Sequence, residues 1–183
     1  MRFILAFLTL FSLPLHAQEL LPEYQVLGHI DLVMEGEEDR RFPIVATADR
    51  SFANKYELSR DNGIFKIRLA GVTPSENGHW EFPMIAIDIT THEIELFRSI
   101  YITYSTESFR NDYTFRASTE DQTAVYGDLV EGENGLVEFE FRGQLVHFDV
   151  GPETRISTPQ AGKAPVEISG RVSVIIPAEY RED

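Results

Sequence analysis

Apolar and polar positions alternate with period two along most of this chain. Tyr24, Val26, Gly28, Ile30, Leu32 and Met34 fall on one side of such a pattern, with Gln25, His29 and Asp31 between them. Residues two apart share a face of a strand, so the spacing predicts strands with one buried and one wet face. Phe42 to Thr47 reads as a short strand, with Pro43 marking an edge or a strand start. The same alternation recurs at Ile85, Ile87 and Ile89, at Ile94 and Leu96, at Ile100, Ile102 and Tyr104, at Tyr113, Phe115 and Ala117, and from Thr123 to Val130. Near the end, Val166, Ile168, Val172, Val174 and Ile176 oppose Glu167, Ser169, Arg171 and Ser173, and Pro177 stops the strand. No long window carries an apolar repeat of helical period. At most "DRSFANKY" forms a short helix.

Turn chemistry sorts these segments into hairpins. Asn62-Gly63 suits a two-residue turn, which pairs Leu58 with Ile67, Tyr56 with Leu69 and Glu57 with Arg68. A second turn is expected around Asn77-Gly78. "GLVEFEFRGQLVHFDV" is harder. Its apolar residues are odd-numbered through Val137, Phe139, Phe141 and Leu145, then even-numbered at Val146, Phe148 and Val150. Folding at Gly143-Gln144 would put Phe141 against Val146, Phe139 against Phe148 and Val137 against Val150, all on one face. A bulge near Gln144 is the alternative. About ten short, half-polar strands predict one antiparallel β domain, a sandwich first and a closed, lipocalin-like barrel second. A membrane barrel fits poorly, because the best hairpins carry charge on the face that would meet lipid.

The ends refine this picture. Residues 1–17, "MRFILAFLTLFSLPLHA", have a basic start, an apolar run and a small residue at the end. That is the pattern of a secretory signal peptide, too short for a membrane span. The expected domain is 18–183, with a Pro/Gly-rich loop at about 151–165. There is no Cys and no Asn-x-Ser/Thr sequon, which points to a bacterial periplasmic or secreted protein. The net charge of −14 opposes contact with nucleic acid and anionic membranes.

Catalytic signatures are sparse. Without Cys, thiolate catalysis and thiolate metal sites are excluded. "HEIEL" lacks the second His of a zinc-protease motif, and there is no nucleophile elbow or phosphate loop. His29 and His147 read as polar-face residues, and His92 as a turn residue. The acidic turns "EGEEDRR" and "EGENG" read as solvated turns and lack a calcium-loop layout. Glu138 and Glu140, like Glu93 and Glu95, sit two apart on strands, a spacing that suits either a wet sheet face or a glycosidase carboxylate pair. Trp80 beside His79 is either a core anchor or a stacking platform for a sugar. Tyr101, with Thr103 and Ser105, gives a strand face suited to polar ligands.

The candidate ligand-binding residues are therefore His79, Trp80 and Tyr101, with no catalytic residue, metal or cofactor implied. The expected role is an exported, non-catalytic binding or accessory module for a protein or small-molecule partner. Alternatives are a carrier of a small apolar ligand inside a barrel, a carbohydrate-binding or carbohydrate-active protein, and a domain whose sheet edge accepts a partner strand.

Overall fold

The computed structural model describes residues 20–47, 56–59, 64–92, 97–110, 113–150 and 157–178. The segments where a leader (1–17), a short helix (up to Lys55), an Asn62-Gly63 turn and a loop (151–156) are expected, and Glu93 to Leu96, lie outside the described residues. The described residues form twelve strands: β1 (Tyr24–Met34), β2 (Arg40–Thr47), β3 (Tyr56–Ser59), β4 (Ile64–Pro74), β5 (Trp80–His92), β6 (Phe97–Ser105), β7 (Thr114–Ser118), β8 (Ala124–Tyr126), β9 (Val130–Glu131), β10 (Leu136–Val150), β11 (Ser157–Pro159) and β12 (Val166–Ile175).

Eight of them close into an antiparallel barrel in the order β1-β2-β4-β5-β6-β7-β10-β12. β12 returns to β1 through pairs such as Ile30↔Val172, and β7 meets β10 at Arg116↔Val146 and Phe115↔His147. The barrel therefore replaces the sandwich as the architecture. A sandwich would leave its sheet edges open, whereas here these last pairings join the two ends of one sheet. The remaining strands are additions, β3 on β4 and β8, β9 and β11 on β10.

Gly143-Gln144 is not a turn. β10 runs unbroken from Leu136 to Val150 and pairs with β12 from Leu136↔Ile175 to Leu145↔Val166. On its other side it meets β9, β8 and β7 in succession. The apparent phase change has a burial cause. Val137, Phe139, Phe141 and Leu145 face the core, while Val146 and Phe148 are buried too, on the opposite face. Alternation fails as a guide once both faces of a strand are covered. His147 consequently lies on the core-facing side rather than on a polar face. It is 7% exposed and its ring centroid stands 3.7 Å from that of Phe115.

Other registers differ from the sequence reading in smaller ways. The β3–β4 ladder pairs Tyr56 with Ile67 and Leu58 with Phe65, two residues off the expected register. In β1 the ladder slips between Val26 and Gly28, which places Leu27 in the core and leaves Val26 outside. Pro43 stands within β2 opposite His29, and the ladder from β2 to β4 is limited to Ile44↔Gly71, so the lost donor falls where pairing is sparse. The segment from Thr123 to Val130 divides into β8 and the start of β9. Around Asn77-Gly78 the expected turn is present, with Gly78 at φ 82°.

One apolar cluster fills the barrel. Ile67 and Leu69 of β4, Ile85, Ile87 and Ile89 of β5, and Ile100, Ile102 and Tyr104 of β6 line its interior. Phe42, Phe139 and Phe141 belong to the same cluster, and Phe42 meets Tyr104 edge-on. Burying each such side chain stabilises the fold by about 1.5–3 kcal/mol. Burial also pushes the Tyr104 phenol above its usual pKa.

The outer wall, by contrast, is charged. Arg41, Asp31, Arg171 and Glu140 follow one another across β2, β1, β12 and β10. Arg41 binds both carboxylate oxygens of Asp31, at 2.6 and 2.9 Å. An apolar inside and a charged outside is the reverse of a membrane-spanning barrel.

Candidate functional site

Opposite-face alternation on β4, β5 and β6 builds the site from the residues that the core rejects. Because inward positions are Ile67, Leu69, Ile85, Ile87, Ile89, Ile100, Ile102 and Tyr104, the residues between them point outward. Ladder register then sets these outward residues into rungs. Lys66 lies beside Thr90 and Ser99, Arg68 beside Asp88 and Tyr101, and Ala70 beside Ala86 and Thr103. Met84 and Ser105 complete the series.

The middle rung is held by charge. The Arg68 guanidinium donates from both Nε and Nη2 to the Asp88 carboxylate. That hydrogen bond raises the Arg68 pKa and fixes the guanidinium on the carboxylate. Tyr101 continues the rung at 38% exposure.

At one end, an aromatic cluster rises from the wall. The β4–β5 ladder slips between Gly71 and Thr73, and Phe82 lies in the extra length of β5. Trp80 and Phe82 meet edge-on, with ring centroids 5.7 Å apart. Phe109, in the segment after β6, meets Phe82 edge-on with ring centroids 5.2 Å apart and lies tilted against Trp80 at 6.5 Å. Phe109 is nonetheless 65% exposed. An aromatic ring anchored by two others yet open to solvent presents a fixed apolar face.

Between the aromatic cluster and the Arg68–Asp88 rung lies a groove of about 490 Å³, floored by Ala70 and Ala86 and edged by Trp80, Phe109, Tyr101 and Thr103. The small side chains of the floor leave this depression open. A second hollow, of about 500 Å³, continues on the far side of the same rung, past Thr90 and Ser99 to Ser118 and Glu120. Arg68, Asp88 and Tyr101 border both.

Two of the three residues singled out from sequence, Trp80 and Tyr101, thus meet at one groove. Trp80 is half-buried and serves as its wall. His79 does not join them. Its Nδ1 lies 3.4 Å from the Tyr24 hydroxyl and its ring meets that of Tyr24 edge-on. The turn that carries it is held by Ser75, whose Oγ donates to the His79 carbonyl at 2.9 Å. Glu138 and Glu140 stand elsewhere, on the outer face of β10. Arg171 donates to Glu138 at 3.3 Å, so this carboxylate belongs to the charge ladder of the wall. His29, also outward, sits 3.4 Å from Asp31. Among the described residues, no group of acidic or His side chains has the arrangement to hold a metal ion.

Phe109, Arg68 and Asp88 complete the site and were not singled out in the sequence. Arg68 and Asp88 carry one signal, opposite charge on neighbouring strands, although the register at the turn, Pro74↔Trp80, would put Arg68 opposite Ala86, and only the slip between Gly71 and Thr73 brings it to Asp88. Phe109 carries no such signal, because its place depends on how the segment after β6 folds back. Comparison of the chain with protein-family models, with curated proteins and with solved structures gave no match.

Proposed function

We propose that this protein is an exported binding module whose ligand lies on the outer wall of the barrel, in the groove over β4, β5 and β6, and that the ligand is a carbohydrate. One observation carries the reading: Trp80 and Phe109 offer apolar ring faces beside the fixed Arg68–Asp88 pair and the Tyr101 hydroxyl, all around one depression. Sugars present apolar C–H faces and a rim of hydroxyls, and aromatic faces with adjacent bidentate groups suit both. The leader at 1–17 supports export. The role is binding rather than catalysis, because the carboxylate at the groove is engaged by Arg68 and Glu138 is engaged by Arg171.

A closed barrel also suits carriers of small apolar molecules. The interior here is packed with Phe42, Tyr104, Phe139 and Phe141, which favours the outer wall. Trp80 is the single Trp of the chain, so its emission reports on the groove alone. Saturable change in that emission with neutral sugars, lost in Tyr101→Ala, is the expected result. Native mass spectrometry showing a retained lipid, with Trp80 silent to every sugar, would point to the carrier instead.

A further inference from the structure

The groove does not end at the Arg68–Asp88 rung, and its continuation says what length and charge of sugar it fits. We infer, resting on the carbohydrate reading above, that the ligand is an extended, uncharged oligosaccharide lying along the strand direction across the Arg68–Asp88–Tyr101 rung.

Three observations converge on this. The first is length. Met84 and Thr90 bound the outward face of β5 over seven residues, about 20 Å of strand at roughly 3.3 Å per step. That is far more than one sugar ring covers. The second is chemical asymmetry along that length. The end at Trp80 and Phe109 is aromatic, suited to the flat face of a ring, while the end at Thr90 and Ser99 offers hydroxyls that can exchange hydrogen bonds with a chain's rim. The third is charge. Lys66 and Arg68 are balanced by Asp88 and Glu120, so the lining is formally neutral, and Arg68 and Asp88 already satisfy each other. Within a chain of net charge −14, such a lining gives an anionic polymer no counter-charge to meet.

The rung in the middle is shared by both hollows, so a chain that occupies both must cross it. There the guanidinium edge and the carboxylate lie in the wall's surface, able to accept and donate to ring hydroxyls without giving up their own contact.

The test is a length series read by Trp80 emission and by calorimetry on the purified chain. Mono-, di-, tetra- and hexasaccharides of the cello-, xylo-, manno- and chito- series serve as neutral probes, and a hexasaccharide of galacturonic acid as the anionic one. Affinity for one neutral series is expected to rise by about tenfold or more from disaccharide to hexasaccharide, as added contacts accumulate. The galacturonic acid chain should bind at least about tenfold more weakly. Ser99→Phe, which puts a bulky ring into the far hollow and leaves Trp80 the single Trp, should bring hexasaccharide affinity down to the disaccharide level. Equal affinity for short and long sugars would overturn the extended-ligand inference and leave the carbohydrate reading standing. Tighter binding of the anionic chain would overturn the charge argument alone. Silence toward every sugar in the series would overturn both.

Discussion

Gly170 stands directly opposite Phe141 across the β10–β12 ladder, and a Cβ placed on Gly170 would lie 2.4 Å from the Phe141 Cζ. It would lie equally close to the Asp31 carbonyl oxygen on the other neighbouring strand. The missing side chain is therefore what admits the Phe141 ring to the core. Gly170→Ala should cost about 1–3 kcal/mol, the range for overpacking a tight site. Gly127→Ala is the control, since its Cβ would meet only the Glu140 carbonyl oxygen at 3.8 Å. That change should stay within about 0.5 kcal/mol. Urea denaturation midpoints of the two variants check both.

Asp31 makes folding sensitive to acid. The bidentate Arg41 contact lowers the Asp31 pKa below its usual 3.8, with smaller help from Arg41, His29 and Arg171 charge and opposition from burial. A group whose folded pKa is depressed stabilises the fold above its unfolded value, and that contribution fades as pH falls through the folded value. Wild type should therefore lose stability below about pH 4 relative to Asp31→Asn, and the two should converge in strong acid. Stability of each measured against pH gives the comparison. A constant difference between them down the acid limb would contradict it.

The Arg68–Asp88 pair should matter more for ligand than for fold. Both side chains are partly exposed, so Asp88→Asn should change stability by no more than about 1 kcal/mol. A ligand hydroxyl that meets the carboxylate would lose a charge-assisted bond, worth about tenfold in affinity. Calorimetric titration and thermal unfolding of one variant separate these effects.

Much of the fold was legible because period-two burial is a local signal. The final strand shows this well, with Ile168, Val172 and Val174 inward and Glu167 and Arg171 outward, as alternation alone required. What failed was non-local. The stretch through Gly143 reads as a hairpin only if Val146 and Phe148 share the core face, and they are buried on the opposite face instead. Closure depends on two ladder pairs between strands far apart in sequence, and no local pattern distinguishes a barrel from a sandwich. The candidate site was half legible. Trp80 and Tyr101 stood out by residue type, yet their meeting depends on a ladder slip beside Gly71 and on the segment carrying Phe109.

Phe109 offers a prediction free of folding effects. Its ring touches Trp80 and Phe82 but is largely in solvent, so Phe109→Ala should alter stability by about 0.5 kcal/mol or less. Trp80 emission should shift to longer wavelength as water reaches the indole. An unchanged spectrum would show that Phe109 does not cover Trp80 in solution.

The outer-wall site is tested most directly by mapping a bound neutral hexasaccharide through backbone amide shifts. Shifts concentrated on Arg68, Ala86, Asp88, Tyr101 and Thr103, with Ile87, Ile102 and Phe139 unmoved, are the predicted result. Shifts centred on those inward residues would place the ligand inside the barrel and contradict the assignment.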